Sequence, residues 1–412
     1  MSPRDYEQAA RYDLINRVQA ACQSFNSASR DVVVHCFGSF ASDLYLPTAD
    51  MDLVAMSPQF TSNGQRTFGI TINQLRKLTY HMEKTGMAAP GTAAFIGSAK
   101  VPLVKFIDRL TGIKVDISFE NDSGFGALDT FTRWKEEYPA MPAMVAVIKQ
   151  MLAMRGLNEV FSGGIGGFTT ICLVMNVLQT MPEVQSGSMD STQHYGEVLM
   201  KFLDLFGNRF DIVGTGILMR PPYYYDKTKI TMGKQNAQRL TIIDPNRDDN
   251  DISGGSREID TVLGCFRHAY SDLQRHLAGI DARKFGSVSI LDCVLGGIYS
   301  QLLAQREKLN HLFGSRPPSS LPAPPVLPPA ASAAASAAMK NKPKKPKKPK
   351  AKKQPSQKAA GYVYTAPGTS VDPPSPLRVD PAQSLSLVQD PVASVQCPPQ
   401  YILHPHVVAE LR

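Results

Sequence analysis

The stretch that decides the fold is FGSFASDLYLPTADMDLV, residues 37–54, in which a Gly-Ser pair precedes an Asp-Met-Asp triplet. Asp50 and Asp52 stand two positions apart at the start of an apolar run. Alternate side chains of a β-strand share one face, so this spacing puts both carboxylates on the same side of a sheet. Two carboxylates this close repel each other unless a cation lies between them, and hard divalent metals accept such oxygen ligands.

The segments on either side of this stretch complete the pattern. Residues 32–37 predict a buried strand, and the alternation in residues 113–119 predicts a later strand that carries Asp116. Gly38 lets a phosphate approach the backbone, and the Ser39 hydroxyl can then bind it. Three carboxylates beside a phosphate-binding turn are the equipment of two-metal nucleotidyl transfer.

Each of these features alone has an ordinary structural interpretation. An Asp-x-Asp pair is common in surface turns, a Gly-Ser pair is common in loops, and Asp116 alone fits a salt-bridged strand residue. It is their order that indicates nucleotidyl transfer: strand, Gly-Ser, about ten residues, Asp-x-Asp on a strand, then a further strand with one Asp.

Beyond residue 130 the apolar spacing changes from two to three and four, which predicts helices. Strands therefore cluster early and helices late, apart from an amphipathic helix at the start, and this order predicts an α+β fold. The predicted helices span residues 5–25, 140–154, 168–180, 196–206, 258–277 and 288–312.

The last hundred residues differ in composition from the rest. Of the 31 prolines, 20 lie in residues 317–412, and residues 340–353 contain nine lysines and no acid. Such segments cannot bury enough apolar surface to fold, so we predict a disordered tail over residues 315–412. The net charge of +8 falls to −1 without these nine lysines, so the remainder is close to neutral.

Several classes of protein are excluded at this stage. No apolar run is long enough to span a bilayer, so no membrane partner is expected, and the first residues show no secretory pattern. The six cysteines lack CxxC spacing and most lie in apolar contexts, which indicates buried, reduced thiols in a cytosolic or nuclear protein.

The motifs also carry a family resemblance, which covers residues 3–312. Residues 37–54 and 113–119 resemble the catalytic motifs of the DNA-polymerase-β-like nucleotidyltransferase superfamily. Three further segments resemble the nuclear noncanonical poly(A) polymerases, the polymerase subunits of the TRAMP complex: KVPLVKF (100–106), LNEVFSGGIGGFTTICLV (157–174) and the nucleotide recognition motif DPNRDDNDISGGS (244–256).

The resemblance implies a domain layout. Residues 1–28 form an N-terminal helix that packs on the central domain, and residues 29–120 form the catalytic domain with a palm-like mixed sheet. Residues 121–314 form a mostly helical central domain with the nucleotide recognition loop near 244–256, and the disordered tail follows.

The resemblance also assigns the site. Asp50, Asp52 and Asp116 are expected to be the catalytic carboxylates and to hold two magnesium ions, with manganese as an alternative. Nucleotide contacts are expected at Gly38, Ser39, Asn121, Lys149, Gly167, Phe168 and Asn250.

Three of these nucleotide contacts, and one position in the recognition motif, depart from the family pattern or have a second interpretation. Many relatives have Ser-Tyr at Gly167-Phe168, so a hydroxyl contact to phosphate is in doubt while base stacking is retained. Gly254 stands where relatives often have a basic residue, which removes one contact. Asn121 has a second interpretation as an ordinary loop residue, and Phe168 as a core residue.

The implied function is template-independent addition of AMP from ATP to RNA 3′ ends, marking nuclear RNA for the exosome. The implied partners are RNA, ATP, a zinc-knuckle RNA-binding protein and an RNA helicase, with the exosome as an indirect partner. The implied location is the nucleus, or the nucleolus within it. Two alternatives stay open: a terminal uridylyltransferase on the same scaffold, and a catalytically weak scaffold protein.

Overall fold

The computed structural model describes residues 2–97, 101–229, 238–280 and 288–315 of the 412-residue chain. The predicted tail, including the lysine-rich run at 340–353, therefore lies outside the described residues, as does Lys100 of the KVPLVKF motif. Among the residues described, no helix has the length and apolar character needed to cross a membrane.

The first half of the chain forms a five-stranded mixed sheet in the order β1-β2-β5-β4-β3. The pair β2–β5 is parallel and the other pairs are antiparallel. The strands are β1 (Val33–Phe37), β2 (Met51–Met56), β3 (Ala94–Ile96), β4 (Leu103–Ile107) and β5 (Lys114–Phe119).

One side of this sheet is covered by helices whose apolar residues recur every three or four positions. In α1 (Asp5–Gln23), Leu14, Ile15 and Val18 are fully buried against the sheet, and in α4 (Ile72–Lys84) Leu78 and Met82 are buried in the same core. Two short helices, α2 (Gly38–Ala41) and α3 (Pro58–Asn63), follow β1 and β2. The three strands predicted at residues 32–37, 50–55 and 113–119 are confirmed.

The second half is largely helical and has its own apolar core. Its long helices contribute fully buried leucine, methionine and phenylalanine side chains, among them Leu152, Leu173, Phe202 and Phe266. The helices are α5 (Phe125–Glu137), α6 (Met141–Ala153), α7 (Gly167–Thr180), α8 (Pro182–Gln185), α9 (Tyr195–Asp204), α10 (Ile259–Gly279), α11 (Asp292–Leu295) and α12 (Ser300–Phe313).

A second sheet interrupts these helices and was not predicted. Four short strands pair in the order β7-β6-β8-β9. The nucleotide recognition segment is therefore partly a hairpin rather than only a loop. The strands are β6 (Thr215–Met219), β7 (Pro222–Asp226), β8 (Ile242–Asp244) and β9 (Arg247–Asp251).

Two of the predicted helical features differ from the structure. The single helix predicted over 288–312 is wrong, because Gly296 and Gly297 separate α11 from α12 and glycine stabilises helices poorly. The N-terminal helix was predicted to pack on the central domain, whereas the apolar residues of α1 belong to two separate cores. Leu14 and its neighbours join the core of the first sheet, and Ala9 and Ala10 contact Leu309 and Phe313 of α12.

Candidate functional site

The register of the first sheet brings the candidate catalytic aspartates together. Asp52 on β2 lies directly opposite Asp116 on the parallel neighbour β5. Asp50 immediately precedes β2, two positions from Asp52. The sequence therefore placed the pair Asp50–Asp52 correctly at a strand start, and the β2–β5 pairing adds the third carboxylate to the same end of the sheet.

The turn before α2 is built so that its backbone lies against Asp52. Gly38 has φ +67°, a conformation that favours glycine, and a Cβ there would lie only 2.8 Å from Asp52 Cγ and would overlap its carboxylate. Ser39 follows as the second residue of α2. The Gly-Ser pair is thus held beside the aspartates, as the sequence order indicated.

A lysine that the sequence analysis left without a role binds the third aspartate. Lys105 on β4 pairs in register with Asp116 across β4–β5, and its Nζ lies 2.9 Å from Asp116 Oδ2. The other oxygen, Asp116 Oδ1, is buried and has no hydrogen-bond partner among the described residues. The signal was present in the quoted motif, because Lys105 is the charged residue between the apolar Val104 and Phe106.

The donor set suits a hard divalent cation such as magnesium. All three side chains offer carboxylate oxygens, and Asp116 Oδ1 is a buried acceptor that lacks a donor within the described part of the chain. In that same part of the chain, no three acidic, His or Cys side chains are yet drawn together at metal-ligand spacing.

The electrostatics of the site follow from this crowding. Burial, with the nearby Asp50 and Asp116 carboxylates, raises the pKa of Asp52 to about 7. Burial also raises the pKa of Asp116, against the opposing effect of Lys105. A divalent cation would relieve both the burial and the repulsion, so the site favours the bound cation over three free carboxylates.

This crowding predicts a pH dependence for the metal-free protein. The folded pKa of Asp52, about 7, lies above its ordinary value of 3.8, so the folded state binds its proton more tightly than the unfolded state. The stabilising contribution is present at low pH and is lost as the pH rises through 7, by at most about 1.4 kcal/mol per pH unit. We expect the free energy of unfolding, measured in urea with a chelator from pH 5.5 to 7.5, to decline less in Asp52→Asn than in wild type. Equal declines of the free energy of unfolding in the two proteins would contradict the raised pKa of Asp52.

Lys149 lies on α6, and its ammonium group is close enough to Asp52 and Asp50 to feel their charge. Burial lowers its pKa to about 8, while Asp52 and Asp50 oppose the shift. Its Nζ donates to the Leu44 carbonyl at 2.7 Å, and a Cβ on Gly167 would lie 3.3 Å from that nitrogen. The structure thus brings Lys149, Gly167 and the aspartates to one region, and their contacts with a triphosphate stay a prediction.

The predicted base-contacting residues lie on adjoining elements of the central domain. Phe168 is the second residue of α7 and is half-buried, with its ring edge-on to Phe131 at 5.2 Å between centroids. Asn250 lies on β9 and donates to Asp244 Oδ2 at 2.9 Å. The Thr169 hydroxyl donates to the Ile252 carbonyl at 3.3 Å, so α7 and the recognition segment are joined.

Asn121 is placed differently from the other predicted nucleotide contacts. It follows β5, and its Oδ1 accepts a hydrogen bond from Ser123 N at 3.2 Å, which is a local turn contact. Both interpretations from the sequence, a ribose contact and a turn-forming residue, are compatible with this position.

Glu159 is a residue of this region that the sequence analysis did not single out. It lies in the segment between α6 and α7, and burial and the nearby Asp50 raise its pKa. Lys105, Lys114 and Asp116 also act on it. This segment of the central domain therefore faces the aspartates of the first sheet.

Comparison with known sequences finds relatives among the poly(A) RNA polymerases. A family model described as "Poly(A) RNA polymerase, mitochondrial-like, central palm domain" matches residues 1–133, and the "Cid1 family poly A polymerase" model matches residues 194–250. The poly(A) RNA polymerase cid14 of Schizosaccharomyces pombe is 35% identical over 69% of this chain and 40% of its own length. Trf4-2 of Drosophila melanogaster, named an inactive noncanonical poly(A) RNA polymerase, is 30% identical over 59% of this chain and 58% of its own length. The chain thus spans about two fifths to three fifths of these relatives.

Solved structures show the same architecture. The polymerase core of TRAMP, an RNA surveillance complex, superposes with a TM-score of 0.62 at 29% identity, covering 72% of this chain and 90% of that one. The Cid1 poly(U) polymerase bound to MgATP superposes with a TM-score of 0.52 at 17% identity, covering 68% and 92%, and shows a shared fold.

The matches reach both halves of the chain, since one family model covers the sheet that carries the aspartates and the other covers the segment leading to Asn250. The TRAMP core shares the arrangement of the two halves. On these grounds the chain belongs to the noncanonical poly(A) RNA polymerases of the TRAMP type, within the nucleotidyltransferase superfamily.

Proposed function

We propose that the chain catalyses template-independent addition of AMP from ATP to the 3′ end of RNA. The observation that carries the proposal is the placing of Asp52 and Asp116 on neighbouring strands, with Asp50 just before the first of them and a Gly38 turn that has no room for a side chain beside Asp52. A cluster of like charges is costly for a protein that does not bind a cation there. The family membership and the name of the cid14 relative favour polyadenylation.

In this proposal the three aspartates hold two divalent cations, with magnesium as the expected metal. Asp50 and Asp52 would hold both ions, and Asp116 would join them in holding the ion that serves the RNA 3′ hydroxyl. When bound, the ions supply positive charge that stabilises the attacking and leaving oxygens of an in-line displacement at phosphorus. This role is supported by Asp116 Oδ1, which is buried without a partner among the described residues, and by the Cid1 poly(U) polymerase, which shares the fold and has been solved bound to MgATP.

The remaining residues position the two substrates. The Gly38-Ser39 backbone approaches the triphosphate closely because Gly38 has no side chain. Lys149 would reach the same region with its ammonium group, which donates to the Leu44 carbonyl. Gly167 leaves space beside Lys149, and Asn121 is proposed to contact the ribose.

Base binding is assigned to Phe168, and its replacement gives a test. An aromatic stack contributes on the order of 1–3 kcal/mol per base, so Phe168→Ala should raise the KM for ATP by about 5- to 100-fold. Phe168→Tyr should leave KM nearly unchanged. Phe168→Leu is the matched control, because it keeps apolar packing against Phe131 but lacks an aromatic face. Steady-state kinetics with a short RNA primer measure these values. A wild-type KM in the Leu and Ala variants would make Phe168 a core residue only.

Uridylyl transfer is the second candidate, because Cid1, a poly(U) polymerase, shares the fold. Asn250 is proposed to read the base edge, since an amide can both donate and accept. The Asn250–Asp244 hydrogen bond fixes the direction in which that amide points. A catalytically weak scaffold is the third candidate, and the name of the Trf4-2 relative shows that inactive members exist. The retention of all three aspartates disfavours it here.

One assay separates the three candidates. The purified chain is incubated with a labelled RNA primer, magnesium and each nucleoside triphosphate in turn. Extension with ATP well above extension with UTP supports adenylyl transfer, and the reverse order makes the chain a uridylyltransferase. Absence of extension with every nucleotide, in a chain shown to be folded, overturns the enzymatic proposal.

The chain is further proposed to act on nuclear RNA with partners that bind the substrate. Outside the lysine-rich run the net charge is close to zero, so little sequence-independent RNA affinity is expected from the globular part. A zinc-knuckle RNA-binding protein and an RNA helicase would provide that affinity and deliver tagged RNA to the exosome. The lysine-rich run is proposed to direct nuclear import or to contact RNA.

A further inference from the structure

Arg11 is a fully buried cation outside the site described so far. It lies in α1, and its exposed fraction is 0%. Its Nε and Nη1 are buried without hydrogen-bond partners among the described residues. Replacing a buried charge by an apolar residue of similar volume is often neutral or stabilising, so stability alone does not explain an arginine here.

The contacts of Arg11 converge on the segment that leads into the catalytic aspartates. Its Nη2 donates to the Pro47 carbonyl at 3.0 Å and to the Ala49 carbonyl at 2.8 Å. Ala49 is bonded covalently to Asp50, so the second hydrogen bond fixes the peptide that joins them. Charge-assisted hydrogen bonds of this kind are about twice as strong as neutral ones.

The same guanidinium also contacts the other end of this segment. Its Cζ lies 4.9 Å from the centre of the Tyr45 ring and 5.9 Å from the Phe40 ring, which belongs to α2 and follows the Gly-Ser pair. The two rings pack edge-on at 5.0 Å. One side chain therefore touches the start and the end of residues 40–49, which connect the phosphate-binding turn to Asp50.

Two lysines of the central domain hold the same segment from its other side. Lys135 donates to the Ser42 carbonyl at 2.8 Å, and Lys149 donates to the Leu44 carbonyl at 2.7 Å. Arg11 alone of these three cations is completely buried, and the carbonyls that it contacts lie closer to Asp50 in the chain than those of Ser42 and Leu44. Its helix is itself fixed, because Glu7 accepts from Arg306 of α12 at 3.1 Å.

We propose that Arg11 is a positioning residue: it holds residues 45–49 so that Asp50 and Asp52 present their carboxylates in the geometry the reaction needs. The proposal rests on the proposed function, since the geometry matters for nucleotidyl transfer. It also makes a prediction about the backbone that is independent of activity, because the carbonyls of Pro47 and Ala49 lose their donor when Arg11 is replaced.

The test uses the full chain with Arg11→Met, Arg11→Lys and a matched control, Arg17→Met. Arg17 lies on the same helix but binds Asp108 at 2.7 and 2.9 Å and Asp13 at 2.6 Å, away from residues 45–49. Hydrogen–deuterium exchange of peptides covering residues 44–52 reports the backbone. Tailing kinetics give kcat and KM for ATP, and thermal unfolding reports stability.

We expect faster exchange in residues 44–52 and a kcat lower by about 10-fold or more in Arg11→Met, with KM for ATP changed less than about threefold. Arg11→Lys should keep part of the wild-type protection from exchange and part of the wild-type kcat, because an ammonium can still donate to one carbonyl. If Arg11→Met fails to fold, Arg11→Lys against wild type carries the test, with a smaller change in the same direction. Arg17→Met should lower stability without either change.

Wild-type exchange in residues 44–52 of the folded Arg11 variants would overturn the inference. So would a kcat effect that Arg17→Met reproduces in proportion to its loss of stability. If the wild-type chain adds no nucleotide, the proposed function is overturned. Faster exchange in Arg11→Met would still support the contacts assigned to Arg11, so the two failures are distinguishable.

Discussion

Replacing Asp50 and Asp52 together by alanine is expected to lower RNA tailing by at least about a thousandfold, the loss that about 4 kcal/mol of charge stabilisation represents. Both residues are proposed to hold the two cations, so no carboxylate would bridge them in the variant. The fold should survive, because the change removes two like charges that repel each other and Asp116. The metal-free variant should be as stable as wild type or more stable.

The control for this variant also removes two negative charges from the protein but leaves Asp50 and Asp52 in place. Asp129 and Glu136 are exposed acids on α5, and their joint replacement by alanine also removes two negative charges. This control should tail RNA at nearly the wild-type rate. Comparable activity in the Asp50/Asp52 variant would show that these carboxylates do not carry the reaction.

Gly38→Ala is expected to have the second largest effect, a loss of activity of about 100-fold. A Cβ at this position would overlap the Asp52 carboxylate, so the side chain proposed to hold the metals must move. The backbone adds strain, because φ is +67° and a non-glycine residue in this region costs roughly 1–2 kcal/mol.

Gly64→Ala separates the clash from the backbone strain. Gly64 has φ +73° at the end of α3, and a Cβ there would meet nothing within 4 Å. Both variants should lose similar stability from the backbone, but only Gly38→Ala should lose activity as measured by primer extension. Equal activity in the two variants would mean that the Gly38 turn does not shape the site.

Three of the five strands of the first sheet follow from local pattern, and the other strands depend on distant pairing. β1, β2 and β5 were predicted because each is a long apolar or alternating run of five or six residues. β8 has three residues, and β9 reads RDDND, which is a sequence typical of turns. Such strands form because a partner strand is present, and the sequence of the segment itself does not indicate the partner.

The residues of the candidate site also fall into those that local spacing identifies and those that depend on distant contacts. The aspartates and the Gly-Ser pair were identified because their spacing within one segment carries the chemistry. Lys105 and Arg11 were missed because their roles depend on contacts that the local sequence does not show. Asp116 lies 11 positions from Lys105, and Pro47 and Ala49 lie 36 and 38 positions from Arg11. A lone arginine in an amphipathic helix is most often exposed, and only the packing of α1 shows that this one is buried.

The central claim is that Asp50, Asp52 and Asp116 hold the cations that serve nucleotidyl transfer. Anomalous scattering from crystals grown with manganese and a non-hydrolysable ATP analogue tests it most directly. The account predicts manganese peaks bound by Asp50 and Asp52 next to the triphosphate, one of them also bound by Asp116 Oδ1. Manganese bound elsewhere, or a triphosphate held away from these three carboxylates, would contradict it.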